Sequence, residues 1–283
     1  MQNKNFIITL SCKDKPFIVA NITSKLADLG ANITQSDQFW DKSSDKFFMR
    51  IAFSAPSGSS INDIKNALAL SVKKFDMQIN ITDENILPKI IIMVSKFDHV
   101  MGRLLYQIGN GRLKAQVVAI VSNHKDAQKI ASFKGIDFFH LPINKKNKIE
   151  QEKKLLEIVK NTNADLVVLA RYMQILSDDL SKKLSGKIIN IHHSFLPSFK
   201  GAKPYHQAFD RGVKIIGVTA HYVTGELDEG PIIAQDIAHI NHKYSANDMI
   251  GEGEEIESRV LARAVKLHLE QKVMLNGQKT IVF

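Results

Sequence analysis

The chain has 283 residues, 44% hydrophobic and 24% charged, with a formal net charge of +9 from 38 Lys+Arg against 29 Asp+Glu. That length suits two domains with sizeable cores, and the lack of any run of about 18 uncharged apolar residues excludes a membrane-spanning helix. The single cysteine, Cys12, excludes an internal disulfide and a thiolate zinc site; with no apolar leader after Met1, the expected compartment is the cytoplasm.

The positive charge raises nucleic acid as a partner, but the basic residues are scattered. The densest run, Lys145-Lys146-Asn147-Lys148 with Lys153-Lys154, is interleaved with Glu150, Glu152 and Glu157 at helical spacing. It reads as a solvated helix face rather than a phosphate groove, so no nucleic-acid partner is expected. A diffuse positive field suits an anionic small substrate.

In chain order, the first segment reads β-α-β-β-α-β. Strands are expected at Phe6 to Cys12, Ala31 to Phe39, Lys46 to Ser54 and Met77 to Thr82, and helices at Pro16 to Leu29 and Ile61 to Phe75. This is the ferredoxin-like split pattern. Asp83 to Pro88 reads as a linker, so the expected boundary lies between residues 84 and 85.

Beyond the linker the pattern becomes strict alternation. Strands are expected at Lys89–Ser95, Ala115–Ser122, Phe138–Pro142, Leu166–Ala170 and Lys187–His192, with helices at Val100–Ile108, Lys125–Phe133, Ile149–Asn161 and Asp178–Leu184 between them. Such alternation predicts a doubly wound, mostly parallel sheet whose site lies at the carboxyl ends of its strands. Then come a Pro- and Gly-punctuated loop from Ser194 to Pro204, a short helix closed by Gly212, a strand from Ile215 to Val223 and the turn Thr224 to Pro231. The tail predicts a helix from Glu255 to Gln271, with Gly251-Glu-Gly253 ahead of it, and a strand-like end at Lys279 to Phe283. Gly251-Glu-Gly253 and Gly109-Asn-Gly111 lack the context of a dinucleotide fingerprint, and no Walker, Gly-x-Ser-x-Gly or His-Glu-x-x-His sequence occurs.

The chemistry concentrates between Lys187 and Gln235. Alternation along a strand puts Asn190 and His192 on one face and Ile191 and His193 on the other, so joint chelation by the two histidines is not expected. Asp228 sits in a turn framed by Gly225 and Gly230. An amide, an imidazole and a carboxylate can perform acid/base work and steady an oxyanion with no nucleophile from the protein.

Two stretches resemble known families. Ser11-Cys-Lys-Asp-Lys-Pro16-Phe17-Ile-Val19-Ala, followed by a helix and Gly30-Ala-Asn-Ile33, is similar to the ACT domain, a small module that often binds amino acids and pairs its sheets. Phe17 stands where that pattern usually has glycine. The resemblance implies a regulatory or self-associating role for residues 1–84, and hence a homo-oligomer.

Asn190-Ile-His192-His-Ser-Phe-Leu-Pro197, with Leu227-Asp228-Glu-Gly230-Pro231 downstream, resembles the folate-dependent formyltransferase superfamily over residues 85–283. The resemblance implies a Rossmann-like fold with Asn190, His192 and Asp228 as catalytic residues. It implies a pterin-binding segment, Arg171, Tyr172, Met173, Gln174, Ile175 and Leu176, joined by Gly225 and Leu227 in contacting folate. No metal and no dissociable cofactor are implied, since folate is the substrate.

The ACT-like front end and the wording through Gly201-Ala-Lys-Pro-Tyr-His-Gln-Ala resemble the branch that hydrolyses 10-formyltetrahydrofolate to tetrahydrofolate and formate. In the implied reaction, water attacks the formyl carbon while Asn190 and protonated His192 steady the oxyanion. Asp228 orients His192; either of the two removes the proton from water. The alternative within the superfamily is a glycinamide-ribonucleotide formyltransferase, which needs a glycine-rich nest for phosphate after its first strand. Here that turn is Ser95-Lys96-Phe97-Asp98-His99, with no glycine. The tail leaves no room for the RNA-binding domain of the tRNA formyltransferases. Outside enzymology, the alternative is a non-catalytic folate- or amino-acid-sensing protein.

Overall fold

The computed structural model describes residues 3–196 and 204–283; Pro197 of the Leu-Pro motif and the loop through Lys203 lie outside the described residues. The chain divides into two units, one of Met1–Leu87, Glu270–Asn276 and Ile281–Phe283, the other of Pro88–Leu269 and Gly277–Thr280. The tail segments therefore cluster with the N-terminal unit rather than with the residues that precede them.

In the first unit, β1 (Lys4–Lys13), α1 (Ile18–Asp28), β2 (Asn32–Asp41), β3 (Lys46–Ala55), α2 (Ile61–Phe75) and β4 (Gln78–Asp83) follow the expected pattern. The antiparallel sheet has the order β2-β3-β1-β4. Alternate residues of β1 and β3 (Phe6, Ile8, Leu10, Met49, Ile51 and Phe53) pack against Ile18, Ile22 and Leu26 of α1 and Ile64 and Leu68 of α2. A capping box between Ser60 and Asp63 starts α2. Phe17 caps α1 with φ 70, a conformation glycine adopts without the Cβ penalty, and its ring is 75% exposed. Arg50 is buried on β3, where its Nε donates to the Glu270 carbonyl at 3.1 Å and its Nη1 to Gln35 at 2.9 Å.

The second unit contains β5 (Lys89–Val94), α3 (His99–Gly109), β6 (Gln116–Ser122), α4 (Gln128–Lys134), β7 (Phe138–His140), α5 (Lys148–Thr162), β8 (Leu166–Leu169), α6 (Asp178–Lys183), β9 (Ile188–His192), α7 (Pro204–Arg211), β10 (Ile215–Tyr222), β11 (Ile232–His239) and α8 (Ala246–Leu269). Its seven strands run β11-β10-β9-β8-β5-β6-β7, with β5 to β9 parallel and β10 antiparallel to both of its neighbours, β9 and β11. From β5 the order proceeds outward in both directions, so the switch point lies at the carboxyl ends of β5 and β8, where ligands bind in such sheets. The central strands are buried throughout (Ile90 to Val94 and Leu166 to Leu169), as parallel strands covered on both faces require. A short hairpin, β12 (Val273–Asn276) and β13 (Lys279–Val282), closes the chain.

Three expectations are corrected. β11 falls on a segment with no strand expectation, because Ile232 to His239 mixes apolar and polar residues without clean alternation. Helix α8 begins at Ala246, nine residues earlier than expected, so Gly251 and Gly253 lie inside it; Ser245 and Asp248 cap its start through reciprocal hydrogen bonds. On α5, Gln151 and Glu152 are buried rather than solvated, and Glu152 accepts the Ser177 N–H at 2.8 Å. No helix among the described residues is long and apolar enough to cross a membrane.

Candidate active site

Asn190 lies near the carboxyl end of β9, directly opposite His221 on β10. Cross-strand neighbours share a face, which brings the Asn190 amide 3.3 Å from His221 Nε2. The His221 ring is buried, and its Nδ1 donates to the Tyr222 carbonyl at 2.9 Å. Burial pulls the His221 pKa down, so the ring is neutral, with an Nε2 lone pair to accept from Asn190. One amide N–H is thereby fixed, and the second remains for an incoming oxygen.

Two residues along β9, His192 places Nδ1 3.3 Å from Asp228 Oδ1, and His221 Nε2 stands 3.8 Å from the same oxygen. Asp228 adopts φ 57, which turns its side chain back toward the strands from the loop. Burial raises its pKa, but the hydrogen bond from His192 and the neighbouring imidazoles outweigh burial and hold it below the usual carboxylate value. The structure thus brings Asn190, His192 and Asp228 together and adds His221. Gly230 packs beneath them; a Cβ there would land on the Tyr222 carbonyl oxygen that holds His221.

His193 departs from the expected alternation. The strand ends at His192, and the next residue bends so that the two rings stack, 5.1 Å between centroids and 21° between planes. Burial, then the charges of Arg171 and His192, push the His193 pKa down to about 4. Among the described residues, no group of three or more His, Cys, Asp or Glu side chains is placed to hold a metal ion.

The segment after β8 is tethered at both ends. The Met173 N–H donates to Ser95 Oγ at 3.0 Å, Ser95 donates to Asn123 at 2.7 Å, and the Ser177 N–H is held by Glu152. Between those ties Met173 and Ile175 are exposed, at 53% and 60%, with Gln174 half-buried. Tyr172 instead joins the core, with the half-buried Leu176 packed against it. Gly225 and Leu227 are exposed on the Asp228 loop.

Arg171 also turns inward, at φ 62, and its Nε lies 3.3 Å from Glu257 Oε2. Glu257 is fully buried on α8 and also takes His99 Nε2 at 2.9 Å and the Tyr205 hydroxyl at 3.0 Å. The Arg171 guanidinium lies 6.0 Å from the Phe97 ring, while its Nε and Nη1 are both buried without a hydrogen-bond partner.

Residues 88–265 match the family model described as formyl transferase. A formyltetrahydrofolate deformylase of Corynebacterium sp. (strain P-1) is 44% identical over 277 residues, spanning 98% of this chain and 97% of its own length. The chain belongs to the formyltetrahydrofolate deformylase family.

The solved structure of a family member from Burkholderia mallei superposes with a TM-score of 0.95 at 43% identity, covering 99% of each chain. A glycinamide ribonucleotide transformylase from Symbiobacterium toebii superposes at 0.66 with 26% identity, over 72% of this chain and 98% of its own. The fold of the catalytic unit is thus shared across the wider superfamily, while the full two-unit architecture recurs in the deformylases. His221 and Glu257 are absent from the sequence reading of the site, which names His99 only as part of the turn after the first strand of the catalytic unit. The one signal for His221 was its parity with Thr219 on a strand next to β9; nothing local links Glu257 to Arg171.

Proposed function

We propose that the chain hydrolyses 10-formyltetrahydrofolate to tetrahydrofolate and formate. The observation that carries this reading is the length of the match: the deformylase relative aligns over 98% of the chain, N-terminal unit included, whereas the transformylase aligns over 72%. The exposed residues Met173 and Ile175, with Gln174 and the Gly225–Leu227 loop, receive the pterin, and the N10-formyl group meets Asn190, His192 and Asp228.

In this reading water adds to the formyl carbon. The free N–H of Asn190 and protonated His192 steady the oxyanion, the largest contribution in acyl transfer. Asp228, held ionised by its imidazole neighbours, takes the water proton; the C–N10 bond then breaks as N10 gains a proton, and formate leaves. No metal or dissociable cofactor enters these steps. The buried single cysteine suits a reducing, cytoplasmic setting.

We further propose that the N-terminal unit joins copies of the chain. Its edge strand β2 exposes Phe39 at 47% and Trp40 at 44%, near the 75% exposed Phe17. The catalytic reading is tested by incubating purified protein with 10-formyltetrahydrofolate, with and without glycinamide ribonucleotide. Formate and tetrahydrofolate should appear at a rate indifferent to the ribonucleotide; formylation of the ribonucleotide outpacing formate release overturns it.

A further inference from the structure

The cluster around Glu257 has no part in the steps above, yet it is built with care. Its carboxylate is 0% exposed and three contacts reach it: Tyr205 on Oε1, His99 and Arg171 on Oε2. Gly253, one helical turn earlier on α8, makes room for this arrangement, because a Cβ there would overlap the Tyr205 ring and hydroxyl. Glycine is a poorer helix former than alanine, so the space for the Tyr205–Glu257 contact comes at the expense of helix stability.

The cluster is continuous with the acyl site. Asp228 touches His192, His192 stacks on His193, and the His193 ring lies 6.4 Å from that of Tyr205, whose hydroxyl reaches Glu257. On another side, His99 lines a cleft of about 810 Å³ together with Gly102, Arg103, Tyr106, Gly251 and Glu254. That cleft is large enough for a small organic molecule.

We propose that the Glu257 cluster is the specificity determinant that makes water the nucleophile, by closing the acyl site to amines arriving from the cleft. This inference rests on the hydrolase reading and deepens it. Formyl transfer to an amine forms a C–N bond, breaks the C–N10 bond and moves one amine proton to N10. The acceptor must therefore come within bonding distance of the formyl carbon, with a hydrogen-bond acceptor steadying its N–H groups. The buried carboxylate able to do this already takes hydrogen bonds from Tyr205 and His99, and its charge is matched by the Arg171 guanidinium at ion-pair distance. Arg171 occupies the space beside it under the cover of Phe97, and its positive charge repels an ammonium ion. Water needs neither the space nor the acceptor.

Arg171→Gly is the discriminating variant, because glycine adopts the left-handed conformation of position 171 without strain. The full-length protein is given 10-formyltetrahydrofolate with glycinamide, and the ratio of formylglycinamide to formate is measured. A mere loss of folate affinity or stability lowers both products and leaves the ratio unchanged. The wild type should give the ratio of the uncatalysed reaction, and Arg171→Gly should raise it about tenfold or more. His99→Ala, a truncation at the partly exposed start of α3, should raise it as well and decides the matter if Arg171→Gly does not fold. Unchanged ratios in the folded variants overturn the proposal. Absence of formate from the wild type overturns the hydrolase reading instead, so the two failures are distinguishable.

Discussion

Asn190 and His221 face each other across β9 and β10, the amide nitrogen 3.3 Å from an imidazole nitrogen that burial keeps uncharged. This pairing decides how the amide is turned. The Nε2 of a neutral ring with Nδ1–H committed to a carbonyl can only accept, so it selects the NH2 end of Asn190 and leaves its second hydrogen for the substrate oxygen.

Loss of that restraint should appear in turnover. His221→Phe fills the same volume without the acceptor and is expected to lower kcat about tenfold while KM for the folate changes little. Asn190→Ala, His192→Ala and Asp228→Asn should each lower kcat about 100-fold or more. Steady-state formate release measures all four; a His221→Phe enzyme with wild-type kcat would show that the amide is oriented by other means.

Gly230→Ala tests the packing beneath the same pair. The added methyl group meets the Tyr222 carbonyl, so either the loop or β10 must shift, at a cost of about 1–3 kcal/mol. Thermal unfolding should register that loss. Formate release should fall further than the unfolded fraction accounts for, because Asp228 and His221 move with the displaced backbone.

Stability should depend on pH through histidines buried in the neutral state. Burial lowers His193 and His268 to about 4 in the folded protein, against 6.5 when unfolded. Between those values the unfolded chain binds more protons, so stability is full above about pH 6.5 and falls as pH drops toward 4. The slope is at most about 1.4 kcal/mol per pH unit for each histidine. His268 Nδ1 is 2.7 Å from the Tyr222 hydroxyl. Replacement of His268 by Gln keeps a polar partner for Tyr222 and should flatten the denaturation midpoint between pH 7 and pH 5; an unflattened profile rules out the contribution of His268.

For self-association, Phe39→Ser combined with Trp40→Ser alters exposed positions on an edge strand, where substitutions seldom unfold a protein. Light scattering should report fewer subunits per particle while the circular dichroism spectrum stays unchanged. The same subunit count in the double variant would place the contact elsewhere.

The fold was legible because both of its patterns are local. The alternation of β5 to β9 with helices, and the β-α-β-β-α-β order before it, follow from apolar periodicity within single elements. Asn190, His192 and Asp228 were legible because a strand end and a glycine-framed turn each announce themselves. The remaining features depend on pairing across the sheet or between distant helices. His221 sits among apolar residues of β10 and acquires its role from Asn190 opposite. Glu152 looked solvated amid lysines, yet it is buried with its carboxylate on the Ser177 N–H. The stacking of His193 on His192 depends on the bend of the chain just past the end of β9, which periodicity within the strand does not carry.

The contact between Arg50 and the Glu270 carbonyl bears on the order in which the molecule can be completed. Arg50 lies on β3, 220 residues before its Nε partner, which is made only after the whole catalytic unit has been synthesised. Until then the β-α-β-β-α-β unit holds a buried guanidinium with part of its hydrogen-bonding capacity unmet. The N-terminal unit therefore gains this last partner for its buried guanidinium only when the tail arrives.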